Sequence, residues 1–279
     1  MNRRHFLVGA LALGLAGSTP AALFAAPRFE PTRFSVQVHG NGPDVILIPG
    51  LTSGRDVWSD TVAAVSGYRY HLVQVSGFAG EPARANARGA VVEPLAEEIA
   101  RYIAARGLSR PAIVGHSMGG TVAMIVGARH PELAGRIMVV DMLPQPAGLF
   151  GGSASSPLAD SLRNWMGTPG GRRLVGSLLN VFSPPELSNA RSDPEVVAQA
   201  MQELSVMDLG PQLPRIRAPL TVVYASPDPQ ARAAIDRSFA AAYARARGAR
   251  LVRIDRSGHM VMLDQPVRFQ AAVREFLRD

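Results

Sequence analysis

The chain has 279 residues, 47% of them apolar and 18% charged, with a formal net charge of +7; that is enough apolar material for a large buried core and argues against a disordered chain. It contains no Cys, which removes disulfides, thiolate metal sites and Cys nucleophiles, and all 29 of its basic residues are Arg. A chain without Lys has no P-loop lysine, no pyridoxal-phosphate Schiff base and no Ser-x-x-Lys nucleophile pair, and its scattered Arg read as a solvated surface rather than a nucleic-acid face.

In chain order, Arg3-Arg4-His5-Phe6-Leu7 fits the twin-arginine export pattern. A short apolar run, Leu7 to Ala16, and a small-residue stretch ending at Ala25-Ala26 follow. Residues 1–26 are therefore expected to be a signal peptide for the twin-arginine export machinery, cut between Ala21 and Ala26, with the mature protein exported, periplasmic or secreted. No later segment is long and apolar enough to be expected to cross a bilayer.

Strands are predicted at Phe34–His39, Val45–Ile48, His71–Val75, Pro111–Val114 and Ile137–Val140. Several are continuous apolar runs, as expected of strands buried on both faces. Helices are predicted between them at Val57–Val65, Val92–Arg106 and Thr121–Ala128; in the second, Leu95, Ile99, Tyr102 and Ile103 share one face. This alternation predicts an α/β fold with a mostly parallel sheet covered by helices on both faces. It stops after Asp141. Residues 142–215 are Gly/Ser- and Pro-punctuated, with short helices expected near Ser161–Trp165, Arg173–Val181 and Glu195–Leu204, and are read as a helical cap over a core made of 27–141 and 216–279. Strand signal resumes at Leu220–Tyr224 and Arg250–Ile254, with helices at Gln230–Arg245 and Pro266–Leu277.

The chemistry is carried by Gly115-His116-Ser117-Met118-Gly119, a Gly-x-Ser-x-Gly segment between a strand and a helix. A Ser on so tight a turn is exposed at the C-terminal edge of the sheet, and its neighbours must be Gly to avoid clashes. The helix that follows points its N-terminus at the reaction centre, where negative charge is favoured. There is no His-Glu-x-x-His and no Gly-x-Gly-x-x-Gly after a strand, so no metal or other cofactor is expected.

With this elbow, residues 33–279 resemble the α/β-hydrolase family. Pro49-Gly50-Leu51 resembles the family's oxyanion turn, with Pro49 where His is usual, and the resemblance implies that the backbone N–H groups of Leu51 and Met118 form the oxyanion hole. Ser257-Gly258-His259, before Gln265-Pro266, resembles the family's catalytic His segment, which makes His259 the base. Of the other His, His5 belongs to the signal, His39, His71 and His130 lie at element ends, and His116 is expected to pack beside the elbow. Two carboxylates compete to orient His259. Asp228, in Tyr224-Ala225-Ser226-Pro227-Asp228-Pro229, is the leading candidate by resemblance, and Asp141, at the end of the preceding strand, is the rival.

These readings imply hydrolysis of a carboxylic ester of an apolar small molecule through an acyl-Ser117 intermediate, with Leu143, Leu149, Phe150, Trp165, Met166, Leu178, Phe182, Met201 and Met207 of the cap as candidate acyl-pocket residues. Thioesterase, lactonase, amidase, haloperoxidase and carbon–carbon hydrolase chemistry use the same nucleophile and stay open. So does a non-catalytic binding protein on the same fold.

Overall fold

The computed structural model describes residues 29–146 and 192–278. The signal-peptide segment and the expected cap helices at Ser161–Trp165 and Arg173–Val181 lie outside them. Seven strands form one sheet, β1 (Phe34–His39), β2 (Asp44–Ile48), β3 (Arg69–Val75), β4 (Ala112–His116), β5 (Arg136–Val140), β6 (Leu220–Ser226) and β7 (Arg250–Asp255), in the spatial order β1-β3-β2-β4-β5-β6-β7. Only the edge strand β1 is antiparallel to its neighbour; the other pairings among these strands are parallel.

Alternation along each strand divides the core in two. Ile46 and Ile48 of β2, Ile137 and Val139 of β5, and Val222 and Tyr224 of β6 face one cluster. Val45 and Leu47, Met138 and Val140, and Val223 and Ala225 face the other. Because helices cover both faces, every second residue is as apolar as its neighbour, which is why these strands read as unbroken Val/Ile/Leu runs.

On the first face lie α2 (Val92–Ala105), α3 (Met118–Arg129) and α4 (Pro194–Val206); on the second lie α1 (Ser59–Ala64) and the C-terminal helix α7 (Pro266–Arg278). The helix α5 (Arg232–Ala242) and a single turn, α6 (Val261–Asp264), complete the described set. α3 is buried from Met118 through Ala128, as expected of a helix apolar all round. Gly127 lets it lie close on β5, since a Cβ there would fall 2.2 Å from Ile137 Cδ1. α4 begins with a capped turn: the Asp193 carboxylate accepts from the N–H groups of Glu195 and Val196, and Pro194 follows it. Its Val196, Val197, Ala200 and Leu204 belong to the first core cluster, and its Glu203 accepts from the N–H groups of Val91 and Val92 at the start of α2. α4 is thereby tied to the start of α2.

Candidate active site

β4 ends at His116, and the chain turns into α3 through Ser117, whose φ of 52° and ψ of −122° are a strained conformation for a residue with a side chain. Backbone bonds over-determine it. Ser117 N–H donates to Val140 O at 2.9 Å, and Ser117 O accepts from Gly120 N–H at 2.8 Å and from Thr121 N–H at 3.1 Å. The glycines either side are sterically required. A Cβ on Gly115 would fall 2.0 Å from Gly119 O, and one on Gly119 would fall 2.3 Å from Ile48 O. The elbow is therefore pressed against the end of β2, where Pro49-Gly50-Leu51 begins. A Cβ on Gly50 would fall 3.1 Å from Ser117 Cβ, so the turn that carries Leu51 touches the elbow directly.

His259 lies in the loop between β7 and α6, and that loop is tied down along its length. Arg256 N–H donates to Ser226 O at 2.7 Å, the Gln265 side-chain amide donates to Arg256 O at 2.8 Å, and Gly258 N–H donates to Asp264 Oδ2 at 2.8 Å. Asp264 thus shapes the loop rather than serving as an acid for the ring.

The carboxylate on His259 is Asp141. His259 Nδ1 stands 2.7 Å from Asp141 Oδ2. The second oxygen, Oδ1, accepts from Ala225 N–H at 2.9 Å, and Asp141 N–H donates to Val223 O at 2.7 Å. Asp141 is buried, with a φ of 49° that lifts it off the end of β5 toward the neighbouring strand β6. This corrects the expectation that Asp228 orients the base. Asp228 is exposed, and its Oδ1 accepts from Gln230 N–H at 2.8 Å, two residues on in its own turn. An Asp that closes a local turn in this way has satisfied its carboxylate without reaching across the sheet edge.

With Nδ1 on Asp141, the other ring nitrogen of His259 is Nε2; the His259 side chain is 46% exposed, whereas Ser117 is buried. His116 does more than pack. It is fully buried, and its Nε2 lies 2.9 Å from His259 O. Burial, and after it the His259 imidazole, push its pKa down to about 3, so the ring is neutral. Nothing in the letters of Gly-x-Ser-x-Gly signals that contact, which joins residues 143 positions apart. His71 and His130 hold carboxylates elsewhere, Asp44 and Glu97 respectively. No group of three or more His, Asp or Glu that could hold a metal occurs among the described residues.

The model of the Alpha/beta hydrolase family matches residues 45–272. The chain belongs to that family. Among curated members, the pimeloyl-[acyl-carrier protein] methyl ester esterase of Vibrio atlanticus is 28% identical over 67% of this chain and 77% of its own length. Among solved structures, a thermophilic esterase from Thermogutta terrifontis superposes with a TM-score of 0.68 at 21% identity, covering 91% of this chain and 98% of its own. The enol-lactonase of Burkholderia xenovorans LB400 does so with a TM-score of 0.64 at 21% identity, covering 88% and 96%. At such identities the structural likeness establishes the α/β-hydrolase fold, with its mostly parallel seven-stranded sheet. Within this hydrolase, the candidate acyl-pocket residues Leu149, Phe150, Trp165, Met166, Leu178 and Phe182 lie outside the described segments. Of the other candidates, Leu143 and Met207 pack partly buried against the core, and Met201 is half-buried on α4.

Proposed function

We propose that this protein is a serine hydrolase that cleaves the carboxylic ester of an apolar small molecule, with Ser117 as nucleophile, His259 as base and Asp141 as the acid that orients it. The observation that carries this reading is the 2.7 Å contact of Asp141 Oδ2 with His259 Nδ1, on a loop whose His259 carbonyl lies 2.9 Å from Nε2 of His116, the residue before a Ser held at φ 52° between β4 and α3. The ester-hydrolysing relatives and the family's serine elbow support it. In the reaction, Ser117 Oγ adds to the ester carbonyl while its proton passes to His259 Nε2. The Asp141 carboxylate keeps the other nitrogen protonated and stabilises the imidazolium. The backbone N–H groups of Leu51 and Met118 are the proposed donors to the oxyanion; Met118 opens α3, where the first amides have no partner within the helix. The imidazolium returns its proton to the departing alkoxide, leaving an acyl-Ser117. Water, deprotonated by the same nitrogen, then hydrolyses that ester. Leu51, Met118 and Met142 around the elbow give the acyl half an apolar setting.

The test is a fluorophosphonate probe together with p-nitrophenyl esters from acetate to palmitate. The wild type is expected to be labelled once, at Ser117, and to turn the esters over; Ser117→Ala is expected to fold, resist the probe and lose turnover by at least about a thousandfold. Ester hydrolysis undiminished in Ser117→Ala would sink the reading.

We also propose export by the twin-arginine route, supported by Arg3-Arg4 ahead of Phe6-Leu7 and the apolar run after them. No helix among the described residues is long and apolar enough to cross a membrane. Replacing Arg3 and Arg4 by Gln is expected to leave precursor in the cytoplasm, and mature protein appearing outside the inner membrane at the normal rate refutes the route.

A further inference from the structure

His116 sits between the two halves of the site. Its Nε2 is 2.9 Å from the backbone carbonyl of His259, and since a carbonyl only accepts, Nε2 carries the hydrogen and donates. In a neutral ring that leaves Nδ1 bare. Among the described residues Nδ1 is buried without a hydrogen-bond partner, and it faces the oxyanion turn: a Cβ built on Gly50 would fall 2.8 Å from it. The other side of the ring lies against His259, with centroids 4.7 Å apart and planes inclined at 48°. Protonating Nδ1 would bury an unpaired charge beside the base, and burial together with the His259 imidazole holds the ring's pKa near the bottom of the range, at about 3.

His259 is consequently gripped at two points. Asp141 fixes the rotation of its ring through Nδ1, but a hydrogen bond at the ring does not fix where the backbone of the loop stands. The His116 donor does, from the residue next to Ser117. We infer that His116 is a positioning residue, whose Nε2–H sets the separation of the His259 and Ser117 backbones while its ring seats the Gly50 turn. This rests on the Ser117–His259 reading proposed above. Here the fixed donor, the orphaned nitrogen against the oxyanion turn and the ring contact with the base all converge on the reacting groups.

The test compares two substitutions of similar size. His116→Met keeps apolar bulk and removes the donor. His116→Gln keeps an N–H that reaches the same carbonyl. Since a displacement of about 1 Å in a catalytic group costs on the order of a hundredfold, His116→Met is expected to lower kcat by about thirty- to a hundredfold with KM changed less than about twofold, while His116→Gln stays within about fivefold of wild type. Met retaining kcat within about threefold, or Gln falling as far as Met, overturns the inference. Nitrogen-15 NMR of the wild-type imidazoles provides a reading that needs no variant to fold. His116 is expected as the neutral Nε2–H tautomer from pH 5 to pH 8, and an Nδ1–H tautomer or a charged ring overturns the inference. Failure of the wild type itself to react with the fluorophosphonate probe fells the hydrolase reading and the positioning role with it, while the NMR still reports whether the hydrogen bond exists.

Discussion

Two carboxylates at the ends of adjacent strands differ in what their own backbone asks of them. Asp228 lies two residues beyond β6 and caps its own turn through Gln230 N–H. Asp141 follows β5 immediately, takes a positive φ, and has both oxygens engaged, one by Ala225 N–H and one by His259 Nδ1. An acid that selects the tautomer of a catalytic His contributes about four orders of magnitude to kcat, while a turn-capping Asp contributes about 1 kcal/mol of stability. Asp141→Asn is therefore expected to lower kcat by about ten-thousandfold, and Asp228→Asn to leave it within a few-fold of wild type, as steady-state ester kinetics on both purified variants would reveal. The reverse ranking would return the acid to Asp228. At this scale the segments of Ser117 and His259, proposed as nucleophile and base, were legible from local pattern, because a strand-to-helix elbow and a Gly-His loop are short-range features. The acid was not, because the deciding hydrogen bond spans 118 residues.

Elements follow local chemistry where they are self-contained. The start of α4 is an example: Asp193 accepts from two first-turn amides and Pro194 takes the position whose missing N–H costs nothing. Removing that cap by Asp193→Ala is expected to lower stability by about 1 kcal/mol, read as a lower urea midpoint at unchanged slope. An unchanged midpoint would mean that the tertiary contacts of Val196 and Leu204 alone hold the helix. Unbroken apolar runs gave the sheet because both faces are covered, and α2 gave itself away by apolar residues three and four apart. What was missed among the described residues is short: the single turn α6, and the 3-10 turns Arg55–Trp58, Arg84–Ala87 and Gly210–Arg215, whose few residues carry no periodicity.

For the molecule as a whole, the sheet separates two apolar clusters, and the site lies along the C-terminal ends of its middle strands. The second cluster is the one beneath the His259 loop. Phe269 of α7 is fully buried there, its ring 6.2 Å from that of Trp58, and Val261 and Met262 of α6 share the cluster. Phe269→Ala leaves a cavity large enough to cost about 3–5 kcal/mol, and because α6 directly follows His259 it is expected to lower kcat as well as the thermal midpoint. A lower midpoint with kcat untouched would show that the loop's own hydrogen bonds, through Ser226, Gln265 and Asp264, hold the base without that support.

The sequence by itself determined the class of sheet and the strand-to-helix elbow at Ser117, and it singled out the Gly-His segment at His259 that is proposed as the base, since each is carried by residues within a few positions of one another. Only the tertiary structure decided that Asp141 rather than Asp228 meets the base, that β1 runs antiparallel at the edge, and that His116 donates to the His259 carbonyl. Those three facts depend on which strand ends become neighbours and on which way a single residue is turned there. A left-handed φ at Asp141 and an imidazole tautomer at His116 are chosen by partners far away in the chain.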